Sequence, residues 1–255
     1  MLTAAIATGL LSVPASANGD EKYWNAIRAE YFGDRHIADG RRTLALVVPD
    51  QAEDAAMVPV TVRANFPQSD ERWIKTVTLL IDKNPAPLAG RFHMTVASGK
   101  ANIGTRIRVN EHSYVRAIAE LNDGSLHMVK GFVRAAGGCS APIPGNHEAA
   151  RARMGRMKLK LPMSELPNAP NRARLMISHP NYSGMQADAT TKQLIPAEFV
   201  QQIEVRRGGE LVMRVETDIS ISENPNIQFY YSADDEAAFN VTVRDSSKRE
   251  FEKRW

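Results

Sequence analysis

Short runs in which apolar and polar residues alternate, each closed by a turn signal, constrain this chain more than any other feature. In MVPVTVRANF, Val58, Val60 and Val62 alternate with Pro59, Thr61 and Arg63, the two-residue period of a strand with one buried face. WIKTVTLLIDKNP is a second strand, ended by Asn-Pro. RFHMTVASGK places Phe92, Met94 and Val96 on one face and turns at Ser98-Gly99, and NIGTRIRV repeats the pattern with Ile103, Ile107 and Val109. YVRAIAELNDGSLHMVKGFVRA reads as a hairpin about Asn-Asp-Gly. No crossover helix separates these runs, so an antiparallel sandwich follows.

The pattern resumes in ARLMISHP, in FVQQIEVRRGGELVMRVET with a hairpin over Gly208-Gly209, in NIQFYYSA and in AFNVTVRDSSKREFEKRW. The expected fold is all-β, two sandwiches in series, 58–138 and 171–255. Between them, Pro142, Pro144, Pro162, Pro167 and Pro170 with Gly137, Gly138, Gly145 and Gly155 interrupt regular structure, so 139–170 reads as an arm and linker. HEAARARMGRMKL within it suits a short helix or an extended crossing. Ahead of the first sandwich, 18–57 holds a helix and lead-in. Tyr23, Trp24, Ile27, Tyr31 and Phe32 recur at spacings of three and four, and the helix should stop near Gly33.

Residues 1–17 look like a signal peptide: Leu2 to Val13 are apolar or small, Ala15-Ser16-Ala17 suits a signal peptidase, and the first charge is Asp20. No basic n-region precedes the apolar run. A periplasmic protein with no membrane span is expected.

Composition excludes several classes of function. Of 255 residues, 43% are hydrophobic and 24% charged, as in soluble globular proteins. The net charge of +3 comes from interspersed residues of both signs, which argues against a nucleic-acid groove. There is no glycine-rich phosphate loop and no nucleophile elbow. HEAAR lacks the second histidine of a zinc protease, and the six histidines are scattered singly, without metal-site spacing. No enzyme activity, metal or cofactor is expected.

One residue stands apart. Cys139 is the only cysteine, and an odd cysteine in an exported protein points to a reactive thiol or an intermolecular bond. Gly137 and Gly138 precede it, and Ala135, Ala136, Ser140 and Ala141 offer no bulk. An accessible sulfur on a flexible arm is expected. Lys130 and Arg134 precede it, with no acidic residue between Asp123 and Glu148, which favours thiolate.

The segment from Phe92 to Cys139, with ASGKA, TRIR, DGSL and GGC, resembles the SoxY half of the SoxYZ sulfur carrier of bacterial thiosulfate oxidation. The later segment, with ISHP and IPAEF, resembles SoxZ. The resemblance implies two immunoglobulin-like β-sandwich domains that pair within the chain. It also implies a covalent carrier residue at Cys139, with Gly137 and Gly138 as its flexible lead. SoxY arms end in Gly-Gly-Cys-Gly-Gly; here Ser140-Ala141 replaces the last glycines and the chain continues. That arrangement is similar to fused SoxYZ-like carriers associated with quinoprotein (PQQ) dehydrogenases. The implied partners are periplasmic redox enzymes, either Sox-type enzymes or a quinoprotein dehydrogenase with its cytochrome. Cys139 lies five residues past Arg134, a reach of roughly 17 Å, on a loop held at both ends. The function expected is covalent carriage of a sulfur or thiol-reactive group. The alternative is a non-catalytic assembly module for the quinoprotein system.

Overall fold

The computed structural model describes residues 16–142, 147–162, 169–232 and 237–255, with side chains from 21 onward. The expected signal peptide lies outside the described residues, apart from Ser16 and Ala17, which begin the first helix.

The first half of the chain runs α1 (Ser16–Phe32), β1 (Ile37–Asp39), β2 (Leu44–Val47), β3 (Val58–Ala64), β4 (Ile74–Ile81), β5 (Leu88–Met94), β6 (Ile103–Ile107), β7 (Ser113–Leu121) and β8 (Leu126–Val133). The second half runs α2 (His147–Ala152), β9 (Met157–Lys160), β10 (Asn171–Ile177), β11 (Val200–Arg207), β12 (Glu210–Thr217), β13 (Asn226–Tyr231), β14 (Phe239–Asp245) and β15 (Glu250–Arg254). The fold is all-β and immunoglobulin-like, with a short helix near the N-terminus. The six strands read between Val58 and Val133 all form, and the β11–β12 hairpin turns on Gly208 and Gly209 with φ of 57° and 87°, both in the left-handed region its two-residue loop requires.

Two features differ from the sequence reading. The lead-in and linker are not bare connections. β1 pairs in parallel with β8, β2 pairs with β3, and β9 pairs with β10. Runs of three or four residues among prolines and glycines are too short to show a period.

The halves are also continuous with one another. One sheet has the order β1-β8-β7-β4-β5-β12-β11-β14-β15 and the other β2-β3-β6-β13-β10-β9. β5 and β12 register Phe92 against Val215, and β6 meets β13 at Gly104 and Gln228. Pairing there satisfies backbone groups that two separate sandwiches would leave open at their edges. Between the sheets lies one core, in which Val77, Phe92 and Ile103 belong to the same cluster as Val215, Ile227 and Phe229. α1 covers part of the nine-stranded sheet from outside, with Trp24 and Ile27 packed on Leu80, Ile118 and Leu126. Beneath it the buried Arg116 holds Asp82 at 2.7 Å and stacks 4.2 Å from the Trp24 ring.

Candidate functional site

β8 delivers the chain to Arg134, whose backbone N–H donates to Asp50 O at 2.9 Å and whose carbonyl accepts Ala52 N–H at 2.9 Å. The next peptide, at Ala135, is bracketed by His112: Nδ1 lies 2.8 Å from its carbonyl oxygen and 3.2 Å from its N–H. The chain then turns inward. Gly137 N–H donates to Asn110 O at 2.7 Å and Gly138 N–H to Val109 O at 3.1 Å.

Cys139 follows at 0% exposure. The expected accessible thiol is therefore corrected: the arm folds back between the halves, and the groups that cover it lie more than forty residues away in sequence. Ser183 Oγ donates to the Cys139 carbonyl, and Gln186 Nε2 donates to the Ala141 carbonyl at 3.2 Å. The glycines acquire a packing role. A Cβ on Gly138 would lie 2.1 Å from Ala55 O and 2.6 Å from Val109 O, inside any van der Waals contact. Gly137 has φ of 74°, which a side chain resists.

The loop that covers the arm comes from ISHPNYSGMQ and is itself firmly built. His179 is fully buried, with Nε2 3.5 Å from Asp245 Oδ2, and its Nδ1 accepts Asn181 N–H at 3.0 Å. Burial holds His179 below its ordinary pKa, against the pull of Asp245. Asn181 accepts Val200 N–H at 3.1 Å and donates to Ser222 O at 3.1 Å. Within the loop Ser183 N–H donates to Gln186 Oε1 at 2.9 Å. Tyr182 Oη lies 2.9 Å from His147 Nδ1, which ties α2 to the same loop.

The charge that acts on the thiol is that of Arg108, not Lys130 or Arg134. Lys130 sits 4.5 Å from the Tyr114 ring, and Arg134 is exposed. Arg108 is 1% exposed, and its Nη1 donates to Ile219 O at 2.9 Å and Ile221 O at 2.6 Å, across the seam between the halves. Its Nε has no partner. Burial lowers the Arg108 pKa to about 10, opposed by the charges of Cys139 and Glu223. Burial pushes the Cys139 thiol up to about 11, with Arg108 pulling it down by less. The expectation that the surroundings favour thiolate is thus reversed for the docked arm, because loss of water outweighs one cation. Beside the arm, Arg108, Glu223, Met57, Ala141, Pro142 and Gln186 line a cavity of about 50 Å³.

Sequence reasoning singled out Cys139, Gly137 and Gly138 and passed over Arg108, Ser183 and Gln186, which the fold places around the arm. Arg108 lies one residue beyond the alternation of β6, and its only signal was the TRIR motif. Ser183 and Gln186 stood in a loop with no periodicity, next to ISHP.

Comparison with known proteins fits this division into halves. The model of sulfur oxidation protein SoxY matches residues 28–139, ending on the thiol, and that of sulphur oxidation protein SoxZ matches residues 159–255. No curated protein matches the chain significantly. Among solved structures, the sulfur carrier protein SoxY from Chlorobium limicola f thiosulfatophilum is 18% identical with a TM-score of 0.38, covering 48% of this chain and 98% of its own. A putative superoxide reductase from Thermotoga maritima is 14% identical with a TM-score of 0.33, covering 39% of this chain and 92% of its own. The superoxide reductase of Ignicoccus hospitalis is also 14% identical, with a TM-score of 0.33 and coverage of 36% and 79%. The chain is a SoxY-type half fused to a SoxZ-type half, a SoxYZ-like protein in one polypeptide.

Proposed function

We propose that this protein is a periplasmic carrier whose Cys139 thiol takes up a sulfur-containing group covalently and presents it to partner redox enzymes. The observation that carries the reading is the place of the chain's single thiol. It stands at the last residue of the SoxY match, docked under a loop of the SoxZ-type half.

This reading divides the work between two arm positions, the docked one and a released one. Docked, the thiol is screened from solvent and held in its neutral form, so it neither exchanges nor oxidises readily. Four hydrogen bonds hold the arm, from Gly137, Gly138, Ser183 and Gln186. At a net value of about 1 kcal/mol each, they keep it docked most of the time without locking it. Released, the thiol meets water, and its pKa falls back toward the ordinary value of 9.0. Loading from a sulfane-sulfur donor is then redox-neutral: the Cys139 thiolate attacks the terminal sulfur of a donor persulfide, a new S–S bond forms, and the donor leaves as its thiolate. Unloading is the same exchange with an acceptor thiolate. No step requires this chain to turn over substrate by itself. The cavity beside the arm leaves room for a few atoms when the arm returns.

Burial of Cys139 also favours a second reading, a non-catalytic assembly module of a quinoprotein dehydrogenase system in which the thiol is idle. Intact-mass analysis of protein taken from its native periplasm, together with a Cys139→Ser variant, separates the two. The carrier reading expects a mass adduct on Cys139 that dithiothreitol removes, and loss of partner activity in the variant. A bare thiol in every growth condition, with full partner activity in Cys139→Ser, would sink it.

A further inference from the structure

The two sheets present opposite kinds of outer face. On the nine-stranded sheet, charges of both signs pair with each other: Arg91 with Glu216 at 3.2 Å, Arg206 with Glu204 at 2.6 Å, and Arg244 with Glu250 at 2.5 Å. On the six-stranded sheet the register aligns outward positions in rows. Lys158 lies opposite Met176; Lys160 lies opposite Arg174; Arg172 lies opposite Tyr230; Arg106 lies opposite Pro59; and Arg63 lies opposite Ala45. The outward positions of these six strands thus carry six cations and not one carboxylate. Five of the six are exposed, Arg106 is half-buried, and none is ion-paired with a described carboxylate.

Edge protection accounts for only part of this. Lysines on an edge strand such as β9 discourage strand addition, but Arg63, Arg106, Arg172 and Arg174 stand on β3, β6 and β10, which are paired on both sides. Arg174 directly opposite Lys160 is a like-charge cross-strand pair, which weakens a sheet. A whole face of unpaired cations in a chain of net charge only +3 marks a surface complementary to something acidic. The face ends beside the arm: Met57 precedes β3 and Arg108 follows β6, and both line the cavity next to Ala141 and Pro142, where Asp54 and Glu223 bring the first carboxylates and bound the cationic surface.

We propose that the outer face of the six-stranded sheet is a docking surface for an acidic protein partner, which it seats beside the arm. Between the cations lie Thr61, Gly104, Asn226 and Gln228, small or polar residues. A membrane surface would call for apolar side chains able to insert, and single-stranded nucleic acid for aromatic stacking platforms. This face has apolar side chains at Val47 and Met176 on different strands and one aromatic ring at Tyr230, too scattered for either. The docking surface does not depend on which group Cys139 carries.

The test uses the full chain and a fluorescent octaglutamate peptide as the acidic probe, read by anisotropy at low and physiological salt. The parent binds, and binding weakens with salt. Lys160→Glu/Arg172→Glu/Arg174→Glu loses affinity at least tenfold, and the milder Arg172→Gln/Arg174→Gln loses about threefold. Arg206→Glu/Arg244→Glu, on the other sheet, binds as the parent does. Maleimide labelling of Cys139 stays at the parent rate in all variants, so failure at this face is distinct from failure of the carrier reading. No binding by the parent, or equal binding by the triple variant, overturns the proposal. So does sedimentation of the parent with phosphatidylcholine–phosphatidylglycerol vesicles at a salt concentration where it ignores the peptide.

Discussion

Among the contacts between the SoxY-type and SoxZ-type halves, two joins are of different kinds. Along the sheets, β5 and β12 share a five-pair ladder, and Phe92 and Val215 continue one core across it. Over the thiol, the second half touches the arm through two side-chain hydrogen bonds, from Ser183 and Gln186. The first join combines backbone pairing with apolar burial, and nothing in it can be undone without exposing the core. The second is polar and bonds only to backbone carbonyls, so water can replace each bond at small cost. Fusing the halves by sheet continuity leaves the arm free to have its own equilibrium. The proposed carrier function rests on that separation of a permanent scaffold from a dock that can open.

Phe92→Ala is the sharpest attempt to break the first join. Phe92 is fully buried in the shared core, and such truncations cost about 3–5 kcal/mol. Urea unfolding should show one cooperative transition moved to lower denaturant, with both halves unfolding together. Two resolved transitions, one for each half, would show that the sheets do not couple them. Gly138→Ala attacks the second join alone. Its Cβ would stand 2.1 Å from Ala55 O, so the arm cannot seat. Maleimide labelling of Cys139 should rise by a hundredfold or more, on the order of the loss of several hydrogen bonds at about 1 kcal/mol each, while the unfolding midpoint falls by no more than that docking free energy and the two halves still unfold in one transition. Labelling at the parent rate would mean that the thiol reacts without leaving its dock. Ser183→Ala and Gln186→Ala remove one bond each and should raise labelling by about fivefold apiece. A rise from Arg206→Glu as large as theirs would deny the covering loop any specific part.

These contrasts also explain what could be read from the chain beforehand. Strands such as β3, with Val58, Val60 and Val62 inward, are local statements, because alternation fixes a face within five residues. The identity of the thiol was equally local. Which edge of one half pairs with which edge of the other is not, since Phe92 and Val215 are brought together by packing and not by any spacing in the sequence. The burial of Cys139 failed for the same reason. GGC reads as freedom when the neighbouring chain is unknown, and as a close fit once Ala55 and Val109 lie against it. Arg108 was hidden by parity, for it follows the last residue of β6 and turns inward where alternation would place it outside.

The smallest effect concerns pH and isolates the thiol. Docking raises the Cys139 pKa from 9.0 to about 11 through burial, so the folded protein binds its thiol proton more tightly than the unfolded chain does. The neutral thiol's share of stability is therefore complete below about pH 9, and it is lost as pH climbs through 9 toward 11, because the unfolded chain gains by ionising first. The difference in unfolding free energy between the parent and Cys139→Ser cancels every titrating group that does not feel the thiol, leaving Cys139 and its coupling to Arg108. It should be flat from pH 6 to 8 and fall by about 1 kcal/mol by pH 10. In Gly138→Ala, where the thiol is already in water, the same difference should stay flat throughout. A difference that rises with pH in the parent would mean that Arg108 outweighs burial and that the docked sulfur is held as thiolate, which would turn the dock from a shelter into an activating site.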